Sequence, residues 1–435
     1  MLPQSIEKLY NYYLKCEKTI CTDTRNIKPG SLFCCLKGAN FDGNEFAESA
    51  LKAGAAYVIA DRRDVITDSR ILWVEDCLDT LQALAHHHRK QLKNTVFIGI
   101  GGSNGKTTTK ELLLAVLGSE KKVKGTRGNL NNHIGVPLTL LELSGDEDFA
   151  VIEMGTNHPG EMKVLCDIVA ADWGIVTNIG KEHLEGFGSF DAIIREESEL
   201  FDQLQKSGGL AFVNLDDAVI ANMAKRFSKF ITYGCTENAE VKGEVIHGMP
   251  VLEYSVVIKN EIYGPQKANI GGNYNLSNIL AAVSIGIQAG IDTEKAISAA
   301  CRYIPSNNRS QWIEKGNKHI LLDCYNANPS SMIAAIHSFA DIKGTKAILL
   351  GDMFELGAFA KPEHEAIVKL AAKSGFNEIF YCGSHFKESA GEYPFGFEST
   401  AKLQAWLANH PVQSEYILIK GSRGMKMETL LDTIQ

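Results

Sequence analysis

The sequence predicts an α/β protein of three domains, with a doubly wound, mostly parallel sheet in the central one. Three observations carry this. The chain has 435 residues, and at roughly 100–200 residues per domain that length holds two to four domains. Short apolar runs alternate with helical segments along most of it, the pattern of strand–helix–strand units whose sheets are parallel. In TVFIGIGGSNGKTTTKELLLAVL (Thr95–Leu117) an apolar run enters a Gly-rich turn and leaves it as a helix.

Each unit follows in order. In residues 1–94 a strand at SLFCCLKG, a helix over Glu45–Ala55, a strand over Ala56–Asp61 and a helix ending near Asn94 make a small α/β domain. The triplet His86-His87-His88 reads as a polar helix end. Consecutive helical residues point in different directions, so the three do not converge on one ion. Residues 95–305 add buried strands at Phe149–Gly155, Trp173–Gly180, Gly208–Asp217 and Lys229–Gly234, with helices between several of them. Val241–Gly264 alternates polar and apolar residues with no helix, as a hairpin or meander does. The helix Asn275–Gly290 follows. After a turn near Pro305–Asn308, residues 306–435 return to alternating strands (HILLDC, KAILLGDM, EIFYCG, YILIKGS) and helices (SMIAAIHSFAD, EHEAIVKLAAKSG).

Composition narrows the function. Hydrophobic residues are 45% and charged residues 22%, as in an ordinary globular chain, so extensive disorder is excluded. Lys and Arg number 44 against 52 Asp and Glu, a net charge of −8. That balance argues against a general nucleic-acid binder, whose phosphate partners attract an excess of cations. A local basic cleft for a small anion is compatible with it. No apolar run reaches about 18 residues, so no transmembrane helix or membrane insertion is expected. The N-terminus lacks the uninterrupted apolar centre of a signal peptide. The ten cysteines include no Cys-x-x-Cys pair. They read as reduced thiols of a cytoplasmic protein, with neither zinc nor disulfides expected.

The stretch Gly101–Lys110 is the strongest chemical signal. Glycines let the chain curl so that successive N–H groups, here through Gly102, Ser103, Asn104 and Gly105, point at one anion at a helix N-terminus. Lys106 can reach outer phosphates, and Thr107 can offer a hydroxyl to Mg²⁺, with Thr108 beside it. The usual first glycine falls at Ile100, so this loop is one residue shorter than the common pattern. An ordinary strand–turn–helix corner is the competing reading, and Gly-Lys-Thr-Thr after a buried strand decides for nucleotide binding. Glu153 ends the strand FAVIE, where ligands of open parallel sheets gather. A carboxylate there suits Mg²⁺, with a solvated strand end as the alternative. His183 lies beyond another strand end, as a metal ligand or a turn histidine.

Taken in order, these pieces resemble the Mur ligase family, the ATP-dependent amide-forming enzymes of peptidoglycan precursor synthesis. The similarity runs through GSNGKTTT, TRGNLNNHIGVP (Thr126–Pro137), Glu153-Met-Gly, Asn178 with His183, GNYNLSN (Gly272–Asn278), Arg309 and DCYNANPSSM (Asp323–Met332). It implies an N-terminal UDP-sugar substrate-binding domain (1–94), a central P-loop ATPase domain (95–305) and a C-terminal Rossmann-like domain (306–435). It also implies ATP and Mg²⁺ as cofactors and a reaction in which ATP phosphorylates a carboxylate and an amine displaces the phosphate.

Within the family, GSLFCCLKGANFDGNEFAESALKAGA (Gly30–Ala55), LLGDMFELG with His364, and IKGSRGMKME imply UDP-N-acetylmuramoyl-tripeptide and D-alanyl-D-alanine as substrates. The low net charge and the single-chain set of domains suit a monomer. The implied catalytic residues are Lys106, Glu153, His183 and Arg309. The implied ATP contacts are Gly102, Ser103, Asn104, Gly105, Lys106, Thr107, Thr108, Asn275, Asn278, Arg309, Asp323 (on the ribose) and Asn326. Thr24, Arg25, Ser31, Leu32, Phe33 and Asn132 are the implied substrate contacts.

Two departures stand out. Tyr274 occupies a position where the family often has His. Glu197 stands where many members carry a lysine that CO₂ converts to a carbamate. We expect Glu197 to supply that anion permanently and to join Thr107, Glu153 and His183 around Mg²⁺. Its side chain falls short of a carbamylated lysine by ~3–4 Å at normal bond lengths. A solvated helix residue is the competing reading. Two other functions compete as well, a family ligase with another amine substrate and a nucleotide-binding regulator without catalysis.

Overall fold

The computed structural model describes residues 3–306, 308–391, 393 and 395–434. Among them, three α/β layers follow one another along the chain. Four parallel strands, Ile20–Cys21, Leu32–Cys34, Tyr57–Ala60 and Ile71–Trp73, form the first sheet. The helix Cys77–Gln91 follows it, capped by Asp76, whose carboxylate accepts the N–H of Asp79.

The second sheet has nine strands. Val96–Gly101 is an interior strand, between Phe149–Glu153 and Trp173–Val176 and parallel to both. Every residue of Phe149–Glu153 is buried, which is why that strand reads as one apolar run rather than an alternation. Beyond Phe230–Gly234 the character changes. Val241–His247, Leu252–Ile258 and Glu261–Ala268 pair antiparallel in a meander, and Leu252–Ile258 alternates buried and half-buried residues, as its sequence does.

The third sheet has six strands. Lys318–Asp323 and Lys346–Gly351 flank Tyr416–Lys420, both in parallel register. That register places Asp323 opposite Lys420.

The first layer is joined tightly to the second. One apolar cluster runs from Leu9 and Tyr13 through Leu81 and Leu84 to Leu140, Leu165 and Phe201. The reading of the histidine triplet as a polar helix end is corrected here. His88 is fully buried. Its Nε2 lies 2.9 Å from the carbonyl of Leu143, and its Nδ1 lies 3.0 Å from the hydroxyl of Tyr10. His86 reaches the carbonyl of Ile168 at 3.2 Å. The three rings diverge, and two of them tie the helix to the second layer, so the sequence there is polar for internal hydrogen bonds rather than for water.

Candidate active site

The carboxyl ends of the central strands and of the third sheet face one cleft of about 930 Å³. Its floor is the loop between Val96–Gly101 and the helix Lys106–Leu117. Gly105 has φ +82°, and a Cβ there would come within 2.6 Å of Asn278 Oδ1, so only glycine fits the turn. The loop is fixed from its neighbouring strand end. Asn104 N–H donates to Asn178 Oδ1 at 3.1 Å, Asn178 Nδ2 donates to the carbonyl of Asn104 at 2.7 Å, and Gly180 N–H donates to Ser103 Oγ at 2.8 Å.

Lys106 donates to the carbonyl of Gly102 and lies 3.7 Å from Glu182 Oε2. Burial alone would pull the lysine down, but Glu182, Glu197 and Glu153 outweigh it and raise it above its ordinary value. It therefore stays cationic. Glu182 is pushed up by burial, against the opposing pull of Lys106 and His183. Thr107 donates its hydroxyl to Glu153 Oε1 at 3.0 Å, and Asn131 Nδ2 donates to the same oxygen at 2.9 Å. The other oxygen, Oε2, is buried without a hydrogen-bond partner, 3.8 Å from the buried ammonium of Lys110.

The far wall comes from the third sheet. Lys420 donates to Asp323 Oδ2 at 2.5 Å, as their register requires, and Ser310 N–H donates to Oδ1 at 3.2 Å. The guanidinium of Arg309 stacks on Tyr325, 3.5 Å from the ring centroid, and its buried Nε has no hydrogen-bond partner. Asn328 Nδ2 reaches across to Asn104 Oδ1 at 2.8 Å, and Lys181 N–H donates to Ser330 Oγ at 3.0 Å.

The cleft thus gathers Ser103, Asn104, Gly105, Lys106, Thr107, Thr108, Asn132, Glu153, His183, Asn275, Asn278, Arg309, Asp323 and Asn326 on its walls. Gly102 lies just behind them. Asn275 and Asn278 direct their amides into the protein, to the carbonyl of Gly271 and to Asn275 Oδ1. Tyr274 lines the same wall, its hydroxyl 3.2 Å from Ser310 Oγ.

Other expected residues fall elsewhere. Glu197 is not on the cleft wall. It is buried beneath the loop, and its Oε2 accepts the N–H of Gly102 at 2.5 Å. Burial pushes it up to about 7, with Lys106 opposing and Glu182 adding to the rise. It is neither a solvated helix residue nor grouped with Glu153 and His183. Among the described residues, no three His, Cys, Asp or Glu side chains converge as a metal cluster. The shorter reach of Glu, set against a helix that passes under the loop, accounts for the separation.

Leu32 and Phe33 can meet a substrate through their backbone and not through their side chains. They are core residues of a buried strand. Ser31 beside them is buried, with a hydroxyl that has no partner. Arg25 is exposed and pairs with Asp23 at 2.7 Å, next to Thr24. Glu182, Asn131, Lys110 and Lys420 carry site geometry that sequence reasoning missed. Lys110 had one available signal, since it sits one helical turn beyond Lys106.

Three family models match the chain in order. The Mur ligase family catalytic domain matches residues 18–89, the Mur ligase middle domain 100–286, and the Mur ligase glutamate ligase domain 308–423. The chain belongs to the Mur ligase family. Among Mur ligases it is 33% identical to the UDP-N-acetylmuramoyl-tripeptide–D-alanyl-D-alanine ligase of Bacillus subtilis, over 95% of this chain and 92% of that one. It is also 33% identical to the Escherichia coli ligase of the same name, over 96% and 93%. A MurF crystal structure from Acinetobacter baumannii superposes with a TM-score of 0.87 at 30% identity, covering 95% of this chain and 92% of that one. MurF of Thermotoga maritima in complex with ADP superposes with a TM-score of 0.87 at 25% identity, covering 96% and 97%. This Mur ligase is an ATP-dependent enzyme that forms a C–N bond.

Proposed function

We propose that this enzyme joins D-alanyl-D-alanine to UDP-N-acetylmuramoyl-tripeptide, giving the pentapeptide nucleotide of peptidoglycan synthesis, with ADP and phosphate as the other products. The observation that carries this reading is the cleft itself, in which a phosphate loop on one domain faces Arg309, Asp323 and Lys420 of another. The full-length similarity to ligases of that name supports the choice of substrates. We divide the chain into a UDP-sugar-binding domain (1–94), an ATPase domain (95–305) and a C-terminal ligase domain (306–435).

The chemistry follows from charge. A carboxylate is a poor electrophile, so one of its oxygens must become a leaving group. ATP achieves this by transferring its γ-phosphoryl to the tripeptide carboxylate. The dipeptide amine then attacks the acyl phosphate, the C–N bond forms, phosphate departs and the amine loses a proton. Two anions must meet in the first step. Lys106 stands where it can neutralise them, and positioning with electrostatics supplies most of the rate of phosphoryl transfer. Asp323 is placed to accept from a ribose hydroxyl. The third domain, lying over the loop, excludes water from the acyl phosphate.

Mg²⁺ fits the donor set. Thr107 and Glu153 offer hard oxygens side by side, and Glu153 Oε2 is buried without a partner. These two, with His183 across the cleft, would hold the ion, which would neutralise phosphate charge. Glu197 serves from below, fixing the loop backbone. We propose the cytoplasm as its location, since the reaction consumes ATP.

The test is phosphate release from ATP, Mg²⁺ and UDP-N-acetylmuramoyl-tripeptide, with and without D-alanyl-D-alanine. Release that requires both substrates supports the reading. Release indifferent to the dipeptide, or none at all, overturns it.

A further inference from the structure

We infer that Glu355, on a loop of the third domain, is a positioning residue for His183. It holds the imidazole so that Nε2 faces Glu182 and the cleft. The catalytic consequence rests on the ligase reading above.

Several independent features meet at this pair. The Glu355 carboxylate lies directly against His183 Nδ1. On the opposite edge of the ring, Nε2 lies 3.8 Å from Glu182 Oε2, and that oxygen is 3.7 Å from Lys106. The imidazole therefore bridges the third domain and the phosphate-loop lysine. Both residues have left-handed backbones, φ 45° at His183 and 62° at Glu355. Neither is a glycine, and such strain persists only where surrounding structure enforces it. The backbone joins the contact, since Glu185 N–H donates to the carbonyl of Glu355 at 3.1 Å.

The loop is built to aim this carboxylate. Met353 N–H donates to His364 Nε2 at 3.1 Å, and His364 Nδ1 lies 2.7 Å from the carbonyl of Ala360. That arrangement requires His364 to carry its proton on Nδ1. Phe354 N–H donates to Ser422 Oγ at 2.9 Å. Asp352, at the root of the loop, accepts the N–H groups of His385 and Phe386 at 3.1 and 2.8 Å.

The pair is not what holds the domains together. Leu184, Phe187 and Ile193 belong to the same apolar cluster as Met332, Ile336, Met353 and Leu356 of the third domain. The Glu355 side chain is 57% exposed, and exposed ion pairs add little to stability. What it supplies is geometry. A carboxylate set against one ring nitrogen favours the proton there and leaves the other nitrogen as a lone pair, the tautomer a ligand or acceptor needs.

The experiment uses the full chain as wild type, Glu355→Gln, Glu355→Ala and Glu355→Asn. Asparagine tolerates the left-handed backbone but is too short to reach the ring. The first readout is the ¹⁵N spectrum of histidine-labelled protein without nucleotide, at about pH 8.5, where imidazole is neutral. His183 is assigned by difference with His183→Gln. Wild type and Glu355→Gln, whose carbonyl still accepts, are expected to show the Nδ1–H form. The alanine and asparagine variants are expected to shift toward Nε2–H.

The second readout is steady-state ligation. A positioning loss lowers kcat about 10-fold or more in the alanine and asparagine variants and leaves the KM for ATP within about twofold, with glutamine restoring most of the rate. Unchanged ring signals and unchanged kcat in either short variant overturn the inference. Should the wild type fail to ligate, the ligase reading falls, and the ring signals still decide whether Glu355 sets the tautomer.

Discussion

Replacing Glu197 with Gln should stabilise the protein in mild alkali and remove a pH dependence that the wild type carries. Glu197 is buried beneath the phosphate loop, and its carboxyl is raised from 4.5 to about 7, chiefly by burial. A raised acid holds its proton in the folded state while the unfolded chain has already released it. The stability it contributes is therefore complete below about pH 4.5 and is lost as pH rises toward 7. At about 1.36 kcal/mol per pH unit, that window amounts to about 3 kcal/mol. Glutamine mimics the protonated acid and keeps the carbonyl that accepts from Gly102 N–H. For a unit of about 150–250 residues, about 3 kcal/mol is a melting shift on the order of 6–12 °C. The assay is thermal melting of both proteins at about pH 5 and about pH 8, where the variant should gain on the wild type as pH rises. Equal separation of the two melting temperatures at both pH values would refute the reasoning.

Lys106→Met should reduce ADP formation by about 100-fold or more, since it removes the cation that meets the phosphates, while circular dichroism shows an intact fold. Gly105→Ala should weaken nucleotide binding measured by titration calorimetry. The left-handed turn costs a non-glycine residue about 1–2 kcal/mol, and the new Cβ, 2.6 Å from Asn278 Oδ1, forces the amide away. His88→Phe leaves the hydroxyl of Tyr10 and the carbonyl of Leu143 without their partner. It should lower stability by about 1–3 kcal/mol in urea unfolding without changing the KM for ATP.

Much of this molecule is legible in its sequence, for reasons that differ by region. The central sheet announces itself because strands buried on both faces must be apolar throughout, as at Phe149–Glu153. The meander announces itself because Leu252–Ile258 is buried on one face and alternates. The phosphate loop is legible because its glycines and Lys106 act locally. Contacts between distant segments are not. Nothing adjacent to Glu355 in the chain says that its carboxylate meets His183, and nothing near Lys420 says that it pairs with Asp323. Glu197 was misplaced because its position relative to His183 fixes only how far along a helix it stands, not which side of the loop that helix passes. The burial of the Leu32 and Phe33 side chains was not legible, because a motif beside a proposed binding site also contains the strand that supports it.

The joining of the first two layers has a mechanical consequence. Tyr13 donates to the carbonyl of Leu141 at 2.5 Å, Lys18 to that of Ser144 at 2.7 Å, and Arg89 to those of Val169 and Ala170 at 3.0 and 2.8 Å, around a shared apolar cluster. Separating these layers would strip that cluster of its cover. The third domain is tethered by one passage of chain between Arg302 and Gln311, with left-handed turns at Asn308 and Ser310. The phosphate loop and the first layer thus share one fixed frame, so any widening of the cleft falls to the third domain, against the apolar cluster that joins Leu184 and Phe187 to Met332 and Met353.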